Sequence, residues 1–419
     1  MHVLDQQYRL ATCQHLDREQ QRIGHRLKPH ASRQLHAFRR SAARGEKSFH
    51  RSDPAAKGCI RNRGVEGGNR IVPHPVTKKR GQRGCEPGDT PAHLVGMELY
   101  AKQLHRAEPH ERFVDEPGLP DPGLAGGPSY SRIARLAESV RPFIAMARGL
   151  REAGLHAPAI HDSDARAGLI LLDDLGDGRI VDAGGPVAER YEAAIDALAH
   201  LHSKDMREAA DNYRLPLYAL ETMLAEVSLA CEWYLPWRHG HPAVTKIAEE
   251  LQAAFRLVLE PVLHPADNKS WTLRDYHSPN IIWIENATGI DRVGIIDFQD
   301  ALIGPAAYDV ASLCMDARVD VSETLEARLL ERYCTARGPR FDEEAFRRDY
   351  AAMAAQRNSK IIGIFARLAL RDGKTRYLAH QPRIAGYLSR ALAHPHMKPV
   401  RSWYEKHLPE ALDARKVLK

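Results

Sequence analysis

The chain has 419 residues, of which 43% are hydrophobic and 27% charged, with a formal net charge of +6, long enough for two or three domains and at least one sizeable core. A mean hydropathy of −0.45 and the lack of any apolar run of about 18 residues exclude a membrane-spanning helix, and the opening Met1-His2-Val3-Leu4-Asp5 lacks the basic start and apolar stretch of a signal peptide. The six cysteines are scattered, without a C-x-x-C pair or a Cys/His metal spacing, so a cytoplasmic protein with reduced thiols is expected.

Charge and apolar content divide the chain. Residues 1–126 hold 22 Lys and Arg against 14 Asp and Glu, a net +8, together with 10 of the 22 histidines. Large apolar residues make up only 26 of these 126, and no Trp is among them. Such a composition is near the limit at which burial no longer offsets chain entropy, so a basic, largely disordered segment is expected. Glycines interrupt it at Gly64–Gly68 and Gly81–Gly88, and only His93–Leu104 carries a short periodic patch. Three readings stand for it: a basic tail that touches nucleic acid or another anion, an inert extension, or a stretch that is not native coding sequence. Few aromatics are interleaved with the basic residues, which disfavours a nucleic-acid partner.

From about residue 128 the pattern becomes that of a folded chain. Ile133, Leu136, Val140, Ile144 and Leu150 recur at helical spacing over Ser131–Ala153, with Gly154 as the stop and Pro142 as either a kink or a second start. Gly168–Leu172 reads as a short apolar strand, and Asp173–Gly178 as a turn. A helix is predicted from Pro186, with Val187, Tyr191, Ile195, Leu198 and Leu201 on one face. Two more helices are predicted, over about 217–234 and 244–259.

The chemistry concentrates at 271–311. Asp275 and Asn280 lie five apart in a loop that leads into the strand Ile281–Ile284, and after a turn a second strand ends in Asp297. A hairpin of this kind brings two carboxylates and an amide to one sheet edge. Asp275 can take the proton of an attacking hydroxyl, while Asn280 and Asp297 are hard oxygen ligands suited to Mg²⁺ on nucleotide phosphates. Asp and Asn are also common turn residues; the complete D-x₄-N, strand, Asp-Phe pattern carries the assignment.

These residues resemble the aminoglycoside phosphotransferase and choline kinase group, relatives of protein kinases. Gly304–Ala311 is similar to that group's following helix, Leu171–Gly176 to its hinge, and Ala199–His202 to the end of the helix after the hinge. Arg274-Asp275-Tyr276-His277-Ser278, Asp297–Ala301 and Gly363–Leu368 resemble the bacterial kinases of N-acetylmuramate and N-acetylglucosamine more closely. The resemblance implies an α+β, protein-kinase-like two-lobe fold: a basic segment at 1–126, a remnant of the N-terminal lobe and hinge at 127–176, and a mostly helical C-terminal lobe at 177–419. It further implies ATP and Mg²⁺ as cofactors, Asp275 as catalytic base, Asn280 and Asp297 as metal ligands, and the backbone of Leu172, Asp173 and Asp174 as the adenine site. Asp309 is expected to brace the catalytic loop.

For the acceptor side, residues 351–419 hold 14 Lys and Arg against 4 Asp and Glu, whereas 127–350 hold 24 against 36. A basic C-terminal region suits a neutral or carboxylate-bearing sugar better than a polycationic antibiotic. His277, Asp300, Arg357 and Lys360 are assigned to that side, Arg357 and Lys360 sharing a helix face and Asp300 divided between contact with metal or sugar and a turn role. The chain departs from the group in two ways. Leu273 stands where many relatives have His, and 1–126 shows no phosphate-covering hairpin or strand Lys. Gly64–Gly68 and Lys78-Lys79 are its only stand-ins, with Glu138 and Glu152 as candidate ion-pair partners. Weak or absent turnover is therefore expected, and a non-catalytic pseudokinase or binding module and an antibiotic kinase remain as alternatives.

Overall fold

The computed structural model describes residues 134–137, 139–165, 168–204, 213–263 and 269–418, with the backbone of the strand Leu99–Gln103. The expectations placed on Gly64–Gly68, Lys78, Lys79 and Glu138 lie outside the described residues, and Glu152 is exposed at a helix end.

Leu99–Gln103 (β1), Ile160–Asp164 (β2) and Leu169–Asp173 (β3) form a sheet in the order β1-β3-β2. β3 lies in the centre, which accounts for its unbroken apolar run: Leu169 to Leu172 are all buried. β1 coincides with the periodic patch at His93–Leu104, so 1–126 does supply one strand. β2 runs antiparallel to β3, with Ile160 opposite Leu172 and Asp164 opposite Leu169.

Helix α1 is Arg141–Glu152. Pro142 starts it rather than kinking a longer helix, because a proline lacks the N–H that the first turn leaves unbonded and disfavours helix before it. Gly154 ends it in the left-handed region at φ 84°. Val181–Asp182 (β4) and Gly185–Pro186 (β5) make a short hairpin, so the next helix starts at Ala188 rather than at Pro186. That helix, α2 (Ala188–His202), buries the predicted Tyr191, Ile195, Leu198 and Leu201.

α3 (Leu220–Leu229) continues through a π turn at Ala230–Tyr234 into α4 (Leu235–His239), and α5 is Thr245–Leu263. Two antiparallel strand pairs follow: Lys269–Thr272 (β6) with Leu302–Pro305 (β9), and Ile281–Trp283 (β7) with Val293–Ile295 (β8). The chain closes with α6 (Ala307–Cys314), α7 (Glu323–Arg337), α8 (Glu343–Leu370), α9 (Gln381–Leu392) and α10 (Lys398–His407). Ser322 and Asp342 cap α7 and α8 by accepting from the N–H groups of Leu325 and Ala345.

The 28-residue α8 is the spine of the core, buried from Phe346 to Ala366 with few interruptions. A helix apolar on every side belongs inside a protein, which makes its buried Gln356, Arg357, Asn358 and Ser359 informative. Among the described residues no helix is long and apolar enough to cross a membrane. Cys231, Cys314 and Cys334 are buried free thiols.

Candidate active site

The loop 273–280 hangs between β6 and β7. Arg274 and Asp297 both adopt left-handed backbone, at φ 69° and 63°. For a residue with a Cβ this costs about 1–2 kcal/mol, so the surrounding structure must impose it. Asp309 on α6 does so for the loop: its fully buried carboxyl accepts from the N–H of Leu273 at 2.6 Å and of Arg274 at 2.9 Å. That is the bracing expected of it. Burial pushes the Asp309 carboxyl up to about 7, against the two N–H groups that favour the charged form.

The Arg274 side chain turns into the core. It donates to the carbonyl of Ala134 at 2.7 Å and to Glu226 Oε1 at 2.5 Å, and its guanidinium lies 5.5 Å from the centre of the Tyr218 ring. Glu226, from α3, is fully buried and also accepts from Lys360 Nζ at 2.9 Å, Gln356 Nε2 at 2.8 Å and the Tyr218 hydroxyl. Burial alone would raise the Glu226 carboxyl, but Lys360 and Arg274 hold it below the ordinary carboxylate range. Sequence reasoning missed Glu226. Its signal was an acidic residue among Met223, Val227 and Ala230 on a buried helix face.

Asp275 faces outward, its side chain 46% exposed. Desolvation works to raise its carboxyl; the positive charges of His277, Lys360, Arg274 and Arg357 outweigh it and hold the group below its usual range. His277 contributes little of this near neutral pH, because burial and Arg318 push its imidazole down to about 4. Its Nε2 lies 3.8 Å from Asp275 Oδ1 and 3.2 Å from an Arg318 guanidinium nitrogen. Buried Asp316 fixes the next step of the loop, accepting from the Ser278 N–H at 2.9 Å and hydroxyl at 2.5 Å, and from the Arg318 N–H at 2.8 Å. Asp316 and Arg318 also escaped the sequence reading; they follow the motif without belonging to any spacing pattern.

Asn280 and Asp297 meet across the hairpin. The Asn280 amide donates to the Asp275 carbonyl at 3.0 Å and lies 3.4 Å from Asp297 Oδ2, while Gln299 donates to Asp297 Oδ1 at 3.1 Å. The bond to Asp275 fixes the amide and sets Asn280 Oδ1 as a free acceptor direction. Phe298 is buried and stacks on Phe143 of α1 with ring centres 4.8 Å apart, anchoring the Asp297 turn. Among the described residues no group of three His, Cys, Asp or Glu side chains could hold a metal. A pair of oxygen donors still fits Mg²⁺, which keeps water and phosphate oxygens in most of its coordination positions.

The remaining predicted residues are placed less simply. Asp300 accepts from the Ala137 N–H at 2.6 Å, a positioning contact that ties the segment before α1 to the loop after Asp297. Burial raises its carboxyl. Leu172 and Asp173 end β3, with the Asp173 carboxylate taken by His161 at 2.6 Å and the Ala159 N–H at 3.0 Å, and Asp174 Oδ1 by the Gly176 N–H at 2.8 Å. Arg357 and Lys360 do not line a solvated helix face: α8 is enclosed, so Arg357 is buried with a guanidinium nitrogen 3.4 Å from the Met315 carbonyl, and Lys360 pairs with Glu226.

A small sheet with one helix, joined through Leu172–Asp174 to a helical body whose loop carries Asp275 and Asn280 and whose following hairpin ends in Asp297, is the α+β organisation of protein-kinase-like phosphotransferases. The profile of the phosphotransferase enzyme family matches residues 129–354, and the chain belongs to that family. It is a kinase that transfers phosphate to a hydroxyl group. The N-acetylmuramate/N-acetylglucosamine kinase of Caulobacter vibrioides is 35% identical over 325 residues, covering 74% of this chain and 88% of the relative. The kinase of the same name from Pseudomonas aeruginosa is 35% identical over 267 residues, covering 61% and 74%. A choline kinase structure from Streptococcus pneumoniae aligns with 74% of this chain and 87% of its own at a TM-score of 0.44 and 11% identity.

Proposed function

We propose that the protein is an ATP- and Mg²⁺-dependent kinase of a small N-acetylated amino sugar, N-acetylmuramate or N-acetylglucosamine. The observation that carries this reading is the 35% identity to a kinase of those sugars over 88% of that relative. The basic balance of 351–419 supports it, since a polycationic antibiotic would be repelled there. In this reading residues 127–176 serve the nucleotide, the backbone of Leu172, Asp173 and Asp174 holding the adenine, and residues 177–419 carry the catalytic loop and the acceptor side.

The acceptor hydroxyl approaches the exposed carboxylate of Asp275. Its oxygen bonds to the terminal phosphorus, the bond from that phosphorus to the bridging oxygen breaks, ADP leaves, and Asp275 takes the hydroxyl proton. A carboxyl held below its ordinary range is a weak base, well suited to orienting the hydroxyl and receiving the proton late, when phosphoryl transfer is advanced. Asn280 Oδ1 and the Asp297 carboxylate would hold the Mg²⁺, which when bound neutralises phosphate charge. Lys360 and Arg357 serve the acceptor side through the charge they place behind Asp275, and His277 stands beside it.

The test is transfer of labelled phosphate from ATP to each sugar by the full chain beside Asp275→Asn. Turnover is expected from the wild type and a fall of about 10²–10⁴-fold in kcat from the variant. Absence of transfer to both sugars, with transfer to some other alcohol, would overturn the choice of acceptor.

A further inference from the structure

Lys360, Arg274 and Arg357 place positive charge near Asp275, and a fourth cation, Arg318, lies against His277 beside it. Arg274 and Lys360 share the buried carboxylate of Glu226. Arg357 is buried and turned toward the Met315 carbonyl. Arg318 differs: it is half-buried, and among the described residues its guanidinium has no carboxylate within ion-pair distance. The nearest acid in sequence, Asp316, spends its oxygens on Ser278 and on the backbone N–H of Arg318 itself. Neighbouring Arg383 is neutralised by Asp320, donates to the Ala317 carbonyl at 3.0 Å and lies 3.2 Å from His380 Nδ1. Of these cations Arg318 is the one that is half-buried rather than enclosed and that has, among the described residues, no carboxylate within ion-pair distance of its guanidinium.

Its direction follows from the tautomer of His277. A guanidinium can only donate, so at 3.2 Å the His277 Nε2 must accept and the ring proton sits on Nδ1. Nε2 is also the atom 3.8 Å from Asp275 Oδ1. The Asp275 carboxylate, the His277 imidazole and the Arg318 guanidinium thus follow one another, at 3.8 Å and 3.2 Å. The backbone under Arg318 is held by Asp316, and Arg357 touches the carbonyl of Met315 just before it, so the guanidinium springs from a fixed base.

We propose that Arg318 is a specificity-determining residue that pairs with a carboxylate carried by the acceptor sugar while the reacting hydroxyl sits at Asp275. The planar guanidinium fork suits bidentate carboxylate recognition. The inference rests on the amino-sugar kinase reading and deepens it. Of the two acceptors named there, N-acetylmuramate has a carboxylate and N-acetylglucosamine has none.

The experiment compares wild type, Arg318→Gln and Arg318→Lys in steady-state kinetics with both sugars at saturating ATP and Mg²⁺. Arg318→Gln is expected to raise KM for N-acetylmuramate by about 10- to 100-fold, at least tenfold more than it raises KM for N-acetylglucosamine. Arg318→Lys should restore part of the loss, because the charge returns without the fork. Turnover of N-acetylglucosamine is the internal control for folding. Equal changes in both KM values, or none, would overturn the inference and leave the kinase reading standing. No turnover of either sugar by the wild type would overturn that reading and the inference with it.

Discussion

Replacing Glu226 by Gln keeps the shape of the side chain and removes the charge that Arg274 and Lys360 share, leaving the buried Arg274 guanidinium without its carboxylate. Losing one member of a buried ion pair costs about 3–5 kcal/mol, more than the hydrogen bonds of the substituted amide can return. Two effects should follow. The midpoint of chemical denaturation should fall sharply, and Arg274, released from one anchor of its left-handed backbone, should let the adjacent Asp275 drift, so kcat falls more than either KM. Lys360→Met in the Glu226→Gln background removes one of the two charges that shared Glu226 and should recover part of the stability. A double variant no more stable than Glu226→Gln alone would show that Lys360 is not part of the pair. From sequence Arg357 and Lys360, three apart on a helix, offered a shared face for contact with the acceptor. Only the buried glutamate on another helix, 134 residues from Lys360 in sequence, reveals that Lys360 faces inward.

Helix α8 carries the next constraint. A Cβ at Gly363 would lie 2.4 Å from the carbonyl carbon and oxygen of Leu229, where α3 passes into its π turn. Alanine in a helix interior is intrinsically better than glycine by about 1 kcal/mol, but here the opposing atoms are backbone and cannot rotate away. Overpacking of about 1–3 kcal/mol should win, so Gly363→Ala is expected to lower the melting temperature despite its better propensity. An unchanged or higher Tm would show that the two helices can slide apart. Element boundaries were legible where local chemistry decides them: Gly154 ends α1, and the face of α2 was readable from Tyr191 to Leu201, whereas Pro142 stayed open between a kink and a start. The π turn was not, because it answers to the crossing of α8. Nor was β1 recognised as a strand, since a five-residue strand gains its identity only by pairing with β3.

Across the whole molecule, the motif residues Asp275, Asn280 and Asp297 were legible because they lie within 23 positions, whereas the groups that hold them come from distant segments. Buried histidines are one consequence, and they tie stability to pH. His277 titrates near 4 in the folded protein and His202, beneath the Tyr333 hydroxyl, near 3, both against an ordinary value of 6.5. Burial and a neighbouring arginine depress each. The unfolded chain takes up these protons below pH 6.5 while the folded one does not, so each histidine withdraws stability as pH falls toward its folded value. Asp309 acts in the opposite sense: its carboxyl, raised to about 7, binds a proton first in the folded state and adds stability as pH falls from 7 toward 4. The wild-type profile is therefore a partial cancellation, and a difference between variants isolates one group. His277→Gln offers Arg318 an acceptor but has no proton to gain, so wild type should lose up to about 3 kcal/mol relative to this variant between pH 7 and 4. Urea midpoints of both proteins across that range measure the loss; parallel curves would mean that His277 becomes protonated in the folded state as readily as in the unfolded chain, contradicting the enclosed, neutral imidazole beside Asp275.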